Sequence, residues 1–406
     1  MIDQVKKQYN DYPYPEPIDD LKSQIDKGYR EESDLKISWP ILFPEKKYQE
    51  NINIFIAGCG TNQAIYHALL YPNSNIYAID LSENSISHNK KMIEKYNIKN
   101  IEIEEKSIFD IDIRDRFDLV ISTGVIHHTK DPNKALKKLV LSGNNDSAIH
   151  IMVYSLYARI GIHFVQDVFK YLELDQNIND LEFAKNFIFS LPDNHYVNNF
   201  GGFKEINETS LVDTFLHTQD IHYDCLEIER LIKDSGGFFQ CWYNNIDYYP
   251  FFLKLTEDKK EKLNNLSQFE IADLTQKIIT TTNKHTFILR KKKEFKNIWH
   301  NPKKIKDNTI IRKNVGFKRV ELANKENNYG GKIKNNRGME ISFSFLEGAI
   351  FHNIKNEKVE INALLDLVNS FLRSLNYDHI FELKELVNII HDFWKKGLII
   401  LTIPSS

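Results

Sequence analysis

The stretch NIFIAGCGTNQAIYHALL, residues 53–70, decides the fold. An apolar run ends in Gly58-Cys59-Gly60-Thr61, and a helix-like pattern follows at once. A strand that ends in Gly-x-Gly before a helix lets the backbone come close to a ligand, because glycine carries no Cβ and tolerates positive φ. The unpaired N–H groups at the helix N-terminus add hydrogen-bond donors. We therefore predict a ligand at this turn, with a plain tight connection between strand and helix as the alternative.

Residues 51–155 alternate apolar strands with amphipathic helices. The predicted strands are INIFIAG, NIYAIDL, IEIEEKS, FDLVISTGV and AIHIMVYS, and the helices are QAIYHALLY, ENSISHNKKMIEKYN and NKALKKLVLS. This alternation predicts an α/β fold with a doubly wound, mostly parallel sheet. The pattern resumes with helix CLEIERLIKDSG, and the strand HTFILRKK is expected to close the sheet.

The sequence divides into four predicted parts. Residues 1–45, rich in Pro and Tyr, form an N-terminal arm, and residues 46–290 form the main domain. Helical pieces at about 156–222 interrupt the alternation and predict an inserted lid. Residues 291–337 form a basic linker, and residues 338–406 read as a strand, three helices and a strand, an order that resembles a small winged-helix domain.

Composition limits the protein's class. With 406 residues and 42% hydrophobic content the chain should form two or three packed units. A formal charge of -3 gives no global attraction to nucleic acid, although local clusters remain possible partners. The N-terminus has no apolar core of a signal peptide, and no apolar stretch approaches the roughly 18 residues of a membrane span. We predict a cytoplasmic location without membrane contact.

The chain has three cysteines, Cys59, Cys225 and Cys241. They lack CxxC spacing, which is typical of a reducing compartment and argues against a disulfide framework and a structural zinc site. No metal ligands are predicted.

Asp80 ends the next strand, about 20 residues after Gly60, where a carboxylate can accept hydrogen bonds from both hydroxyls of an adenosine ribose. The alternative is a helix cap, since Asp80 and Ser82 both suit that position. A dinucleotide site usually needs a third glycine, and Asn62-Gln63-Ala64 stands in its place. An NAD-linked oxidoreductase is therefore disfavoured.

Four segments together resemble a known family: NIFIAGCGTNQA, IYAIDLSENSI, IEIEEKSIFDI and FDLVISTGVIHHTKDPNKALKKL. They look like the successive strand-end motifs of the class I S-adenosylmethionine-dependent methyltransferases. QYNDYPYPEP and IHIMVYSLYARIGI also resemble an uncharacterised bacterial branch of that family. The resemblance implies that S-adenosylmethionine, the methyl donor, lies along the carboxyl ends of the strands.

The family's donor contacts map onto the first two motifs. The resemblance implies that Gly58 and Gly60 lie beside the methionine part of the donor and that Asp80 binds its ribose. Leu81, the next residue, would flank the adenine.

The third and fourth motifs supply the remaining donor contacts. Family members often have an acidic residue where this chain has Ser107, so Ser107, the Ile108 backbone or Asp110 would meet the adenine amino group. Thr123 and Gly124 end the fourth strand, where the resemblance implies contact with the donor's amino-acid end.

Methyl transfer from a sulfonium is an in-line displacement of an already activated group, so a base is needed only for an acceptor that arrives protonated. His127 and His128 stand where a base would reach the acceptor, or they pack under the lid. Tyr12 and Tyr14 can close over the donor, with Tyr14 as a catalytic candidate, or they can anchor the arm to the core.

Acceptor-binding candidates follow the fifth strand: Tyr154, Tyr157 and Arg159. Arg159 suits an acceptor carboxylate or phosphate, and a surface ion pair is the alternative. Tyr248 and Tyr249 can form a further wall, although aromatic clusters are usually core.

Three functions remain open at this point. We expect S-adenosylmethionine-dependent methyl transfer to a small-molecule or peptide acceptor enclosed by the lid. The alternative is a nucleic-acid methyltransferase, favoured by about a dozen Lys and Arg against two acids over residues 290–319 and by the C-terminal domain. A non-catalytic scaffold that only binds a nucleoside is the third.

Overall fold

A computed structural model describes residues 2–199, 203, 206–253, 255–296, 299–314, 317–322, 330–335, 340–354 and 358–404. Parts of the predicted lid, basic linker and C-terminal domain therefore lie outside the described residues.

Helices and strands alternate over most of the chain. The helices are α1 (Ile2–Asp11), α2 (Leu21–Asp26), α3 (Leu35–Leu42), α4 (Gln63–Leu70), α5 (Glu83–Tyr96), α6 (Pro132–Ser142), α7 (Ile160–Tyr171), α8 (Ile178–Ser190), α9 (Glu208–Phe215), α10 (Cys225–Ser235), α11 (Glu257–Asn264), α12 (Gln268–Ile279), α13 (Phe345–Asn353), α14 (Ile361–Ser374) and α15 (Leu383–Lys395). The strands are β1 (Asn53–Ala57), β2 (Asn75–Asp80), β3 (Ile101–Glu105), β4 (Phe117–Thr123), β5 (Gly143–Tyr154), β6 (Phe238–Trp242), β7 (Lys284–Arg290), β8 (Ile310–Lys313), β9 (Phe317–Leu322), β10 (Gly331–Asn335), β11 (Glu340–Ser342), β12 (Val359–Glu360) and β13 (Ile399–Thr402).

The chain divides into two compact units. The first comprises residues 1–38, 49–242 and 276–296, and the second comprises residues 39–48, 243–275 and 297–406. The functional division into an arm, a main domain, a linker and a C-terminal domain stays a prediction.

A seven-stranded sheet forms the centre of the first unit, in the order β3-β2-β1-β4-β5-β7-β6. Strand β1 pairs in parallel with β2, with Ile54 opposite Ile76, and in parallel with β4, with Ile54 opposite Leu119. All residues of β1 after Asn53 are buried, as expected for a parallel strand covered on both faces. The predicted doubly wound, mostly parallel sheet is confirmed. The strand order reverses between β1 and β4, which is where open α/β sheets bind ligands.

The sheet closes differently from the sequence expectation. Strand β7, the segment HTFILRKK, was expected to close the sheet, but it lies between β5 and β6 and runs antiparallel to both. The edge belongs to β6, the segment FFQCW. Because β7 carries an unbroken buried run from His285 to Arg290, it is suited to an inner position with partners on both sides.

Helices α7, α8 and α9 form the predicted helical insertion between β5 and α10. They have a hydrophobic core of their own, made of Ile162, Val165, Phe169, Leu181, Ala184, Ile188, Val197, Ile206, Leu211, Val212 and Phe215. This separate core explains why the segment interrupts the β/α alternation.

The second unit contains the C-terminal elements. The predicted order of strand, three helices and strand appears as β11, α13, α14, α15 and β13, with the short β12 between α13 and α14. Strand β8, which lies within the predicted basic linker, is the central strand of a three-stranded sheet, β12-β8-β13. The resemblance to a winged helix stays a prediction.

Among the described residues, no helix combines the length and the apolar character needed to cross a membrane.

Candidate functional site

A cavity of about 490 Å³ lies in the first unit, at the carboxyl ends of β1, β2 and β4. Its volume falls within the roughly 300–1,000 Å³ typical of small-molecule sites. Twelve of the predicted site residues line it: Tyr14, Gly58, Gly60, Asp80, Leu81, Ser107, Ile108, Thr123, Gly124, His128, Tyr154 and Arg159. The remaining predicted residues, His127, Tyr12 and Tyr157, are not part of the wall.

The glycine turn requires its glycines for steric reasons. Gly58 and Gly60 have φ angles of +75° and +54°. A Cβ on Gly58 would lie 2.3 Å from Cγ2 of Val125, in the loop after β4. The turn therefore brings two backbone segments closer together than any side chain at this position would allow.

Asp80 joins the glycine turn to the next strand. Its Oδ2 accepts a hydrogen bond from the N–H of Gly60 (2.8 Å), and its Oδ1 accepts one from the N–H of Ser82 (2.9 Å). Burial raises the pKa of the Asp80 carboxyl, opposed by these backbone hydrogen bonds. The cap of α5 is Ser82, whose hydroxyl accepts from the N–H of Ser85, so Asp80 is not needed for that role.

The wall beyond Asp80 contains Ser107, Ile108 and Phe109. The Ser107 hydroxyl caps a short 3-10 helix, Ile108–Asp110, by accepting from the N–H of Phe109 (3.2 Å). The Phe109 ring faces the ammonium of Lys130 at 5.4 Å from its centroid. Asp110 does not line the cavity.

Thr123 and Gly124 lie beside the glycine turn, as expected from the order of β1 and β4. The hydroxyl of Thr123 accepts from Nε2 of Gln63 (3.3 Å), at the start of α4. Gly124 has a φ angle of +74°. The two strand ends thus form one continuous wall.

The two histidines after β4 occupy different environments. His128 lines the cavity. His127 is fully buried, and neither of its ring nitrogens has a hydrogen-bond partner among the described residues. Burial lowers the pKa of His127 well below its usual value, which keeps this ring neutral. Of the two, His128 is the one that lines the cavity.

The four predicted site tyrosines differ in whether they line the cavity. Tyr14 and Tyr154 line the cavity. The hydroxyl of Tyr12 donates to the carbonyl of Gln176 in the lid (3.1 Å), which is the anchoring alternative. The Tyr157 ring lies beside the ammonium of Lys277 (5.7 Å).

Arg159 is buried, so it is not the surface ion pair weighed as its alternative. Its guanidinium stacks on the Tyr154 ring at 3.8 Å, and its Nε donates to Nε2 of His222 (2.9 Å). Nη2 lies 3.8 Å from the Asp220 carboxylate. The Arg159 guanidinium therefore already interacts with three groups of the protein.

The predicted further wall of Tyr248 and Tyr249 does not reach this cavity. Both residues belong to the second unit, where they are buried, and Tyr249 packs against Trp394.

Residues missed by the sequence analysis complete the cavity at its lid side. Tyr9 and Asp213 both line it. The Tyr154 hydroxyl donates to Oδ2 of Asp213 (3.2 Å), and the Tyr9 hydroxyl lies 3.0 Å from Nε2 of His217. Burial raises the pKa of Asp213. The cavity wall thus includes a carboxylate from the lid in addition to the residues at the strand ends.

Signals for these residues were present but faint. Val5 and Tyr9 recur at the spacing of one helix face in IDQVKKQYND. The stretch HTQDIHYD, residues 217–224, concentrates histidines and acids. No spacing in the sequence shows that the lid returns these side chains to the end of β4.

Among the residues that the structure describes, two sets of three side chains bring potential metal ligands within 4.8 Å of one another: His127, His128 and Asp220, and His128, Asp213 and His217. The guanidinium of Arg159 already stands beside Asp220. This carboxylate therefore has a protein cation as its partner, and we do not assign a metal to it.

The chain matches a known protein family and two uncharacterised bacterial proteins. The family described as "Methyltransferase domain" matches residues 49–301. An uncharacterised protein of Synechococcus sp. is 23% identical over 287 residues, which is 67% of this chain and 68% of that protein. An uncharacterised protein of Rickettsia prowazekii is 40% identical over 79 residues, which is 19% of this chain and only 14% of that protein.

Solved structures share the fold. The structure of PKMT2 from Rickettsia typhi is 14% identical, with a TM-score of 0.60, over 96% of this chain and 77% of that chain. The same protein in complex with AdoHcy matches with 14% identity and a TM-score of 0.58, over 90% of this chain and 74% of that chain.

Proposed function

We propose that this chain, which belongs to the methyltransferase domain family, transfers a methyl group from S-adenosylmethionine to a small-molecule or peptide acceptor enclosed by the lid. The similarity in fold to PKMT2 from Rickettsia typhi, whose complex contains AdoHcy, supports this donor.

The donor would occupy the wall formed by the strand ends. We assign its methionine part to Gly58, Gly60, Thr123 and Gly124, whose backbones border the cavity. Asp80 would accept hydrogen bonds from the ribose hydroxyls through the lone pairs that Gly60 and Ser82 leave free. Leu81, Ser107 and Ile108 would surround the adenine. The Ile108 backbone would contact the adenine amino group, since the Ser107 hydroxyl already caps its helix.

The observation that carries the proposal is the continuity of the cavity. Its wall passes from the donor residues to Tyr9 and Tyr14 of the arm and to Asp213 of the lid without leaving the first unit. An acceptor group at this end would be covered on one side by tyrosine rings and on the other by the lid. A recessed cavity of about 490 Å³ favours a small molecule or the side chain of a peptide over a duplex surface, because such a group is small enough to enter it.

The chemistry needs little from the protein beyond alignment. The acceptor's lone pair attacks the methyl carbon, the carbon–sulfur bond breaks, and its electron pair returns to sulfur as the sulfonium becomes a thioether. For an acceptor that arrives with a proton, Nε2 of His128 would take it. His127 is a poorer candidate because its ring does not face the cavity.

A labelled-donor assay tests this function. The protein is incubated with S-adenosylmethionine labelled in its methyl group and with fractionated cell extract, and the Asp80→Ala variant serves as the control without a donor site. We expect label in small metabolites or peptides with the wild type only. Label confined to RNA would move the acceptor into nucleic acid, and no label in any fraction would argue against transfer.

A further inference from the structure

Asp220 lies in the segment that returns the chain from α9 to α10. Backbone hydrogen bonds hold this segment against the strand ends: the N–H of Ile221 donates to the carbonyl of His127 (3.2 Å), and the N–H of Tyr223 donates to the carbonyl of Tyr154 (2.9 Å). The Asp220 side chain is only 4% exposed. A carboxylate from the lid is thus fixed beside the loop after β4.

One edge of the His128 ring meets this segment. Nδ1 of His128 lies 2.8 Å from the carbonyl oxygen of Gln219 and 3.5 Å from Oδ1 of Asp220. Because a carbonyl oxygen can only accept, Nδ1 carries the proton. In the neutral ring, the lone pair is therefore on Nε2.

The two oxygens of Asp220 have different surroundings. Oδ2 lies 3.0 Å from Nε2 of His222 and 3.1 Å from Nε2 of Gln166. Oδ1 has no hydrogen-bond partner among the described residues. Burial alone would raise the pKa of Asp220, but the neighbouring His222 and His128 rings hold that pKa well below the usual range. An ionised carboxylate therefore lies 3.5 Å from Nδ1 of His128, whose proton is donated to the Gln219 carbonyl.

We propose that Asp220 is a positioning residue for His128: the Gln219 carbonyl accepts the Nδ1 proton, and the Asp220 carboxylate 3.5 Å from Nδ1 favours this ring orientation and stabilises the imidazolium that forms during transfer. The proposal rests on the proposed function. As the acceptor's electron pair forms the bond to the methyl carbon, the acceptor's proton passes to Nε2. The Nδ1–H group keeps its hydrogen bond to the Gln219 carbonyl, and the negative charge of Asp220 stabilises the positive ring. The proton leaves to water after the product departs.

The other described neighbours of His128 differ from Asp220 in charge or in their partners. His217 stacks on the ring at 3.8 Å and His127 lies at 4.0 Å, both with pKa values lowered by burial. Tyr9 and Tyr154 present ring edges to it. Asp213, the other carboxylate, accepts from Tyr154. Within the part of the chain that the structure describes, Asp220 is the carboxylate recorded as an ion-pair partner of Nδ1, at 3.5 Å.

A double-mutant cycle tests the pairing, with an acceptor fraction from the labelled-donor assay as substrate. Asp220→Asn should lower kcat about 10- to 100-fold, less than the roughly 10²–10⁴-fold that a general acid–base group itself supplies, because His128 remains in place. It should leave AdoHcy affinity within about twofold. In a His128→Asn background, Asp220→Asn should change kcat by less than about twofold, because the group it acts on is gone. Asp167→Asn, an exposed carboxylate of the lid helix α7, is the matched control and should retain full kcat.

Three outcomes overturn the pairing: full activity in Asp220→Asn, fully additive losses in the double variant, or loss of activity in wild type on chelation of divalent metals by EDTA. If Asp220→Asn does not fold, the cycle is run with Asp220→Glu, which keeps the charge and must show the same non-additivity. An inactive wild-type protein would instead contradict the proposed function itself.

Discussion

Asp80 holds the glycine turn through Gly60 and still lines the cavity, so its carboxylate has lone pairs to offer a ribose. We predict that Asp80→Ala weakens AdoHcy binding at least tenfold, because hydrogen bonds to a charged acceptor contribute about 1.5–3 kcal/mol each. Isothermal titration calorimetry measures this. Asp131→Ala, another carboxylate that precedes a helix but lies outside the cavity, is the control. Equal affinity in wild type and Asp80→Ala would remove Asp80 from the site.

The same residue predicts a pH dependence. Burial raises the pKa of Asp80 above its ordinary value, which is about 3.9. Protonation removes the negative acceptor, so AdoHcy affinity should fall as pH decreases, beginning at a higher pH than for an ordinary aspartate. Calorimetry between pH 4 and pH 8 measures the trend. The acid decline should be absent in Asp80→Asn, and a decline unchanged by that substitution would assign it to another group.

Gly60 offers a steric prediction. A Cβ at this position would lie 3.3 Å from Cδ of Pro15 in the arm, and its φ of +54° strains any other residue. Gly60→Val should abolish detectable AdoHcy binding, with about 1–2 kcal/mol of backbone strain. Gly236→Val has similar strain at φ +81° with no atom near its Cβ, and it should bind AdoHcy normally. If both variants bind normally, Gly60 serves only the turn.

At the scale of elements, two side chains attach the N-terminal arm to the glycine turn. The Thr61 hydroxyl donates to the carbonyl of Pro15 (2.8 Å), and Asn62 makes two further hydrogen bonds. Asn62 begins α4 without capping it. Instead its Oδ1 accepts from the N–H of Ile18 (3.0 Å), and its Nδ2 donates to the carbonyl of Glu16 (3.1 Å). The Asn62 side chain therefore connects the arm to the glycine turn instead of capping α4.

Asn62→Ala should therefore loosen the arm. Two lost hydrogen bonds, each worth about 0.5–1.5 kcal/mol net, should speed hydrogen exchange in peptides covering residues 12–20 by about fivefold or more and weaken AdoHcy binding several-fold, since Pro15 lines the same cavity. Asn177→Ala, which removes the cap of α8 in the lid, is the control and should leave exchange in the arm unchanged. Unchanged exchange in Asn62→Ala would mean that other contacts hold the arm.

Elements were predictable from sequence where their signal is local. Strands β1 to β5 and helices α4 to α6 follow from apolar periodicity, and the glycine turn follows from Gly58 and Gly60. The position of β7 inside the sheet was not predictable. The segment HTFILRKK shows an apolar run, but it does not show which strands pair with it. Asp213 and Asp220 were missed for a related reason: they reach the end of β4 only through the packing of the lid, about 90 residues along the chain from His128.

At the scale of the whole molecule, the basic run at residues 290–319 is the feature that favours nucleic acid. Two of its lysines are occupied within the first unit: Lys291 contacts Asp115 at 2.6 Å and the carbonyl of Gly143 at 2.7 Å, and Lys292 contacts Asp146 at 2.5 Å. These contacts favour a structural role for the start of the run. In the second unit, α15 buries Leu386, Ile390, Phe393 and Trp394 and carries Glu385 and Asp392 beside its lysines.

We therefore predict weak RNA binding at every salt concentration. A protein that neutralises about six phosphates would lose roughly 10³-fold in affinity between 50 and 200 mM salt, because each contact releases counterions. Fluorescence anisotropy with a labelled single-stranded RNA measures the slope. Charge reversal at Lys293 and Lys303, which leaves the contacts of Lys291 and Lys292 intact, should change neither RNA binding nor methyl transfer. Tight binding that weakens steeply with salt and disappears on charge reversal would instead assign the run to nucleic acid and favour an RNA acceptor over the small molecule or peptide proposed for the enclosed cavity.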